Sequence, residues 1–341
     1  MKLLIRGTNW IGDSVMSIPG IRLLRAAIPE AEITLATPGW ARGIFEDADF
    51  IERSIEIDTE SSSPTAVRKR SKLISGREFD IGLLFTNSFS SALELRMAGI
   101  PRRFGYSGEA RGFLLTDSIA KPAWRGERHE VYYYLEIAQC LISALGREIP
   151  DIEPDVSVSV SDARRARARE TLKKAGAEVG KRIVVIGAGS QNSRAKRWMP
   201  ERFAEVADEL IETERFEAVL IGSEGDRPIS DQVSGMMKSR VTDLTGETDL
   251  DEAVAIIGEA DLLISNDMGL AHIASAVSTP VVTIFGPTNH LTTAPWKGDV
   301  VREPVDCSPC MLRDCPIDHR CMTRVSTDMV MEAALNVLRK D

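Results

Sequence analysis

Short, uninterrupted apolar runs recur along this chain, with helix-like segments between them. In the second half the runs occupy residues 183–186, 218–221, 262–265 and 281–285. Runs of this kind are typical of strands buried on both faces of a parallel sheet, and the segments between them have the apolar spacing of amphipathic helices. The alternation predicts a doubly wound α/β fold.

The first half repeats the alternation, beginning with a predicted strand at residues 2–5 and a helix at 14–27. Between the halves, residues 151–160 (DIEPDVSVSV) are acidic, contain proline and then alternate Val with Ser, as expected of a linker. We therefore predict two doubly wound domains facing a cleft. The predicted divisions are a first domain at 1–155, a second at 156–325 and a C-terminal helix at 326–341.

The composition narrows the function classes. The 341 residues carry 42 Lys and Arg against 51 Asp and Glu, a net charge of -9, which argues against a nucleic-acid-binding protein. The N-terminal apolar run lacks the length and cleavage site of a signal peptide. Gly, Pro and polar residues interrupt the uncharged stretch 268–296, so no transmembrane helix is predicted there. We expect a cytoplasmic protein with reduced thiols.

A glycine-containing loop follows the first predicted strand. Its Gly7-x4-Gly12 spacing is that of a P-loop, but Asp13 stands where the P-loop lysine belongs and would repel phosphate. Asp13 suits a helix-capping acid. It suits equally a general base at the carboxyl edge of a parallel sheet, where such folds bind ligands.

Two loops of the second half suit an anionic ligand. Lys196 and Arg197 follow a strand exit that begins like a dinucleotide fingerprint but lacks the third glycine, so NAD binding is weakly supported. Residues 265–272 follow another strand and open a helix, and a helix N-terminus binds diphosphate well. His272, in the first turn, can add a donor. A solvated basic loop and a structural histidine are the alternatives.

Four of the five cysteines lie close together near the C-terminus. The spacing Cys307-x2-Cys310-x4-Cys315-x5-Cys321, with His319 inside it, indicates a metal knuckle or a redox pair. It matches no standard zinc ribbon, and four reduced thiols are the alternative. We expect any metal here to be structural, because four thiolates close the coordination shell.

Basic residues are concentrated in the first half, as in Arg68, Lys69 and Arg70 of one predicted helix. They are either a solvated helix face or a contact for an anionic acceptor or membrane surface. Two Asp-x-Asp pairs, Asp47/Asp49 and Asp249/Asp251, have the spacing with which some sugar transferases hold a divalent ion. Each lies in a generic acidic stretch, so we predict no catalytic metal.

Taken together, these motifs resemble the bacterial ADP-heptose:lipopolysaccharide heptosyltransferases, glycosyltransferase family 9, and most of all those that add the second inner-core heptose. The segments that carry the resemblance are 7–19 (GTNWIGDSVMSIP), 87–92 (NSFSSA), 98–112 (AGIPRRFGYSGEARG), 195–198 (AKRW), 265–272 (SNDMGLAH) and 285–288 (FGPT). The resemblance implies the GT-B architecture, two Rossmann-like domains with the acceptor on the first and the nucleotide sugar on the second.

The resemblance also implies an activity. It implies inverting transfer of heptose from ADP-L-glycero-D-manno-heptose to a heptosyl-Kdo-lipid A acceptor, with no metal or other cofactor required. It places the protein in the cytoplasm, peripheral to the inner membrane. Three alternatives stay open: a heptosyltransferase I or III type with another acceptor, a transferase using another nucleotide sugar, and a non-catalytic nucleotide-sugar binder.

Residue roles follow from the same resemblance. Asp13 corresponds to the proposed base and Lys196 to the lysine that contacts donor phosphate. The donor-binding positions are Arg197, Asp267, Met268, Gly269, Leu270 and His272. The acceptor-binding positions are Arg68, Lys69, Arg70, Asn87, Ser88 and Arg111. Family members often have Ser or Thr in place of Met268, so only the backbone amide is expected to act there.

Overall fold

The computed structural model describes residues 1–178, 180–191 and 193–340, and the chain divides into two compact units, Met1–Val156 and Ser157–Asp341. In this described part, each unit holds one six-stranded sheet whose strands all pair in parallel. Each strand order is that of a doubly wound nucleotide-binding fold. The predicted α/β class with two Rossmann-like domains is confirmed.

The first unit has the strand order β3-β2-β1-β4-β5-β6. Its strands are β1 (Lys2–Arg6), β2 (Glu32–Pro38), β3 (Arg53–Ile57), β4 (Ile81–Leu84), β5 (Arg102–Tyr106) and β6 (Asp117–Ile119). Its helices are α1 (Ile11–Met16), α2 (Ile18–Ala27), α3 (Arg42–Phe45), α4 (Pro64–Ser75), α5 (Phe89–Met97) and α6 (Glu130–Ala144). The order reverses between β1 and β4, which makes their carboxyl ends the expected ligand position.

The second unit repeats this plan with the order β12-β11-β10-β7-β8-β9. Its strands are β7 (Arg182–Gly187), β8 (Phe216–Leu220), β9 (Val241–Asp243), β10 (Leu262–Asn266), β11 (Val281–Phe285) and β12 (Asp299–Arg302). Its helices are α7 (Asp162–Lys174), α8 (Pro200–Glu214), α9 (Arg227–Met236), α10 (Leu250–Gly258), α11 (Gly269–Ala276), α12 (His290–Thr293), α13 (Arg320–Thr323) and α14 (Thr327–Lys340). The order reverses between β7 and β10.

Apolar side chains from strands and helices fill the core of the second unit. Val184 and Ile186 of β7 pack with Phe203 and Leu210 of α8, and Val330 of α14 belongs to the same cluster. Burying each such side chain stabilises the fold by about 1.5–3 kcal/mol. The C-terminal helix is therefore an integral part of the second unit.

The helix predicted over residues 14–27 is two helices. The first, α1, ends at Met16, and α2 begins at Ile18 with Pro19 in its first turn, where the missing proline N–H has no intrahelical partner to lose. Among all helices of the described residues, none is both long and apolar enough to cross a membrane.

Candidate functional site

Asp13 lies in the first turn of α1, the helix that follows β1. The hydroxyl of Tyr134, in α6, donates to Asp13 Oδ1 at 3.1 Å, and the Tyr134 ring packs edge-on against Phe85. Burial, and then the charges of Asp13 and Glu130, raise the pKa of Tyr134 well above its usual value. The hydroxyl therefore keeps its proton and remains a donor to the carboxylate.

A second carboxyl lies in the same neighbourhood. Glu130 opens α6, and burial raises its pKa, opposed by the charge of Arg125 and reinforced by that of Asp13. The Arg125 guanidinium is 3.7 Å from the Glu130 carboxylate. Neither Glu130 nor Tyr134 belongs to a motif, so the sequence alone does not point to them.

Asn87 follows β4, the strand beside β1, so it lies at the same reversal of strand order as Asp13. Its Oδ1 accepts a hydrogen bond from Arg111 Nη2 at 3.0 Å. Arg111 is completely buried and also donates to the carbonyls of Thr86 and Tyr106. Arg111, a predicted acceptor-binding residue, is therefore placed inside the unit, where its guanidinium holds Asn87.

Arg70, another predicted acceptor-binding residue, is also buried. It is 3% exposed, and its Nε lies 2.7 Å from Glu94 Oε1. Arg6 binds the other oxygen of Glu94 at 3.3 Å, and Arg70 Nη1 donates to the carbonyls of Asp58 and Ser61. Arg70 is part of a buried charge cluster, so its guanidinium is committed to the fold rather than open to an acceptor.

The remaining predicted acceptor residues are accessible. Arg68 and Lys69 are exposed on α4, and Ser88 is half-buried, where its Oγ caps α5 by accepting from Ser91 N at 3.2 Å. Lys69 also lines a cavity of about 370 Å³ beside the ends of β2 and β3.

In the second unit, one carboxylate oxygen, Asp267 Oδ2, connects the loops that follow three neighbouring strands. Lys196, in the loop after β7, places Nζ 2.7 Å from Asp267 Oδ2, directly after β10. The same oxygen accepts from Thr288 Oγ1 at 2.6 Å, in the loop after β11. The Lys196 side chain is 27% exposed and that of Asp267 only 7%, so the cation lies at the surface of the sheet edge while its partner is buried.

Asn266 fixes the loop that carries Lys196. It is fully buried, its Oδ1 accepts from Trp198 N at 2.9 Å, and its Nδ2 donates to the carbonyls of Ala188 and Gly189. Asn266 lies within the motif at residues 265–272, but the motif does not predict this role.

The helix start predicted to hold a diphosphate is present. Met268 is the N-cap of α11, and the first amides of a helix have no intrahelical acceptor. Gly269 is half-buried, while Leu270 and His272 are buried. A Cβ atom at Gly187 of β7 would lie 2.9 Å from Ser265 Cβ, so the close approach of β7 to Ser265 of β10 requires glycine there.

Arg197 is half-buried, and its Nη2 donates to Ser190 O at 3.0 Å. At this edge the structure therefore brings together Lys196, Arg197, Asp267 and the first turn of α11.

The four clustered cysteines are free thiols. Within the described ranges, no group of three or more His, Cys, Asp or Glu side chains is arranged to hold a metal ion. The structural metal predicted at Cys307, Cys310, Cys315 and Cys321 is thus not supported. Burial, followed by the three neighbouring thiols, raises the pKa of Cys321 to about 11.

Comparison with known proteins identifies the family. Residues 67–320 match the model of glycosyltransferase family 9 (heptosyltransferase). The chain belongs to glycosyltransferase family 9. It is 30% identical in sequence to lipopolysaccharide heptosyltransferase 2 of Escherichia coli K12, and the alignment covers 89% of this chain and 88% of that relative. It is 29% identical, over the same shares, to lipooligosaccharide heptosyltransferase 2 of Haemophilus influenzae.

Solved structures of the family share the fold. The structure of E. coli ADP-heptose lps heptosyltransferase II superimposes with a TM-score of 0.82 at 27% identity, covering 100% of this chain and 99% of that one. A glycosyl transferase family 9 protein from Veillonella parvula gives a TM-score of 0.88 at 20% identity, covering 100% and 98%. The GT-B fold expected from the resemblance is confirmed.

Proposed function

We propose that this glycosyltransferase moves heptose from ADP-L-glycero-D-manno-heptose onto the inner-core heptose of lipopolysaccharide. The observation that carries the proposal is the near full-length match to relatives named heptosyltransferase 2. The groups at the two sheet edges support it, because they are the groups that a glycosyl transfer from a nucleotide diphosphate sugar needs.

The donor diphosphate binds at the edge of the second unit. Lys196 and Arg197 supply two cations there. The backbone amides of Met268, Gly269 and Leu270, at the start of α11, supply hydrogen-bond donors. A helix N-terminus and an ammonium together suit two phosphates. Asp267 holds Lys196 rather than the ligand, since a carboxylate would repel the diphosphate. His272 is buried beneath the same turn.

Asp13 is the general base. It takes the proton from an acceptor hydroxyl as that oxygen attacks the anomeric carbon of the heptose. The bond from the anomeric carbon to the phosphate oxygen breaks, and ADP leaves with the electron pair. Attack opposite the leaving group inverts the anomeric configuration.

Protein groups neutralise the charge that develops on ADP. Lys196, Arg197 and the first turn of α11 act on the diphosphate electrostatically. We therefore propose that the transfer needs no metal ion.

The acceptor binds the first unit. Asn87, held by Arg111, and Ser88 lie at the reversal of strand order beside Asp13. The exposed cations of Arg68 and Lys69 suit the anionic groups of a heptosyl-Kdo-lipid A acceptor.

A lipid acceptor requires approach to a membrane, and the first unit has a suitable surface. Phe89 and Phe113 are exposed with ring centroids 6.1 Å apart, and the Arg96 guanidinium donates to Phe113 O. Met97 is also exposed on α5. Apolar side chains bordered by arginine suit an anionic bilayer surface, so we propose peripheral association with the cytoplasmic face of the inner membrane.

The test is acceptor-dependent release of ADP from ADP-heptose in EDTA. We expect release with heptosyl-Kdo-lipid A and none with Kdo-lipid A. Release only with Kdo-lipid A would assign the first heptose instead. Release from other nucleotide sugars in preference to ADP-heptose, or from none, would contradict the proposed donor.

A further inference from the structure

The cysteine-rich segment, residues 307–321, is not used by the reaction proposed above, yet it contacts the loop that carries Lys196. The contact involves both polar groups of the Ala195 backbone. Ala195 N donates to Arg313 O at 2.9 Å, and Ala195 O lies 2.6 Å from His319 Nε2. The residue preceding Lys196 is therefore held from two directions.

The segment is itself anchored to the sheet of the second unit. Cys321 and Met322 are buried in the core at the start of α13. The amides of Cys310 and Met311 both donate to Pro287 O, at 3.0 and 2.8 Å, in the loop after β11. The segment thus connects the exit of β11 to the loop after β7, and both of its ends rest on packed structure.

His319 makes one of the side-chain contacts between the segment and the loop; the others include the Arg194–Asp314 ion pair and the Ser193 hydroxyl, which donates to Arg313 O at 3.2 Å. The His319 φ of 55° lies in the left-handed region, which is unfavourable for a residue with a Cβ atom. Because a carbonyl oxygen can only accept, Nε2 carries the proton and donates to Ala195 O. A neutral or a charged imidazole can make this bond, whereas an aliphatic side chain cannot.

We propose that the cysteine-rich segment is a brace that positions Lys196, and that His319 is the positioning residue through which it acts. Fixing the Ala195 peptide fixes the direction in which the Lys196 side chain leaves the backbone. The ammonium then reaches Asp267 at 2.7 Å, the arrangement to which the donor diphosphate binds. This inference rests on the proposed role of Lys196 in donor binding.

Hydrogen exchange tests the brace without any donor. In His319→Ala we expect the amides of residues 194–198 to exchange about two- to tenfold faster, the range that loss of one ordinary hydrogen bond supplies. Arg194→Ala is the matched control, because Arg194 joins the same loop to Asp314 through an exposed ion pair of little energetic value. Unchanged exchange in His319→Ala would overturn the brace.

ADP affinity, measured by titration calorimetry, tests the connection to Lys196. We expect His319→Ala to weaken ADP binding about two- to tenfold, and His319→Gln, whose amide still donates, to bind within twofold of wild type. In a Lys196→Met background, adding His319→Ala should have no further effect. A loss of the same size in that background would show that His319 does not act through Lys196.

The outcomes separate this inference from the proposed function. A wild-type chain that binds no ADP overturns the donor site and the link between Lys196 and the donor. ADP binding by wild type with no weakening in His319→Ala overturns the positioning role alone. Far-ultraviolet circular dichroism of each variant confirms that it is folded, and His319→Gln provides a conservative variant if His319→Ala is not.

Discussion

Tyr134 holds one carboxylate oxygen of Asp13 through a hydrogen bond of 3.1 Å. The two residues are 121 positions apart in the chain, and α6 brings the hydroxyl to the loop after β1. One oxygen of Asp13 is thereby oriented by the fold. This arrangement is what a general base needs, because proton transfer depends on a fixed direction of approach.

Replacing the base should abolish most of the activity. We expect Asp13→Asn, which keeps the shape and removes the charge, to lower kcat about 10²–10⁴-fold. Asp162→Asn is a matched control, since Asp162 is also a first-turn acid, on α7, and we expect its kcat to equal that of wild type. Steady-state ADP release measures both variants, and near-normal turnover in Asp13→Asn would exclude Asp13 as the base.

Removing the Tyr134 hydroxyl should slow turnover without weakening acceptor binding. We expect Tyr134→Phe to lower kcat about 10- to 150-fold, the factor that corresponds to one hydrogen bond to a charged group, with KM unchanged. The raised pKa of Tyr134 keeps its proton in place, so the ratio of wild-type to variant kcat should stay constant from about pH 6 to about pH 9. A ratio that falls as pH rises would show that Tyr134 ionises in this range.

Loss of the Lys196 ammonium should destabilise the transition state of the transfer. We expect Lys196→Met to lower kcat/KM about 10²–10³-fold, as removal of one preorganised electrostatic donor does in other enzymes. Lys181→Met removes a lysine paired with Glu178 on the surface of the same unit and should leave kcat/KM unchanged. Equal kcat/KM values for Lys196→Met and Lys181→Met would contradict the proposed role of Lys196 in the donor site.

Glu94 should matter for stability rather than catalysis. Glu94→Gln leaves the buried guanidinium groups of Arg6 and Arg70 without their shared anion, and we expect a loss of about 3–5 kcal/mol in the free energy of unfolding. Urea titration followed by circular dichroism measures it. Glu170→Gln, which breaks an exposed pair with Lys174, should have the same urea midpoint of unfolding as wild type. If Glu94→Gln also unfolded at the wild-type midpoint, burial of the charge cluster would be shown to be unimportant for stability.

The strands of the second sheet could be predicted because their apolar runs are continuous, and β11 coincides with its predicted limits. The helix α7 could not be predicted in this way. Its sequence DARRARARETLKK has no apolar stripe, and it packs through Arg164, Ala168 and Leu172. Strand β5 could not be predicted for a related reason: it begins with two arginines and so lacks a continuous apolar run.

Some residues of the candidate site could likewise be predicted from the sequence, and others could not. Asp13 and Lys196 follow predicted strands, and the rule that parallel sheets bind ligands at their carboxyl edge singles them out. Tyr134, Asn266 and His319 act through contacts with distant parts of the chain, which no local spacing reveals. The burial of Arg111 could not be predicted, because arginine side chains are usually exposed and only the folded unit shows its carbonyl partners.

The most direct test of the account is the structure of the product formed from ADP-heptose and heptosyl-Kdo-lipid A, determined by mass spectrometry and nuclear magnetic resonance. We predict a product with one added heptose whose anomeric configuration is opposite to that of the donor. It should form in EDTA and be lost in Asp13→Asn. A product with the donor's configuration, or full product formation by Asp13→Asn, would contradict the account.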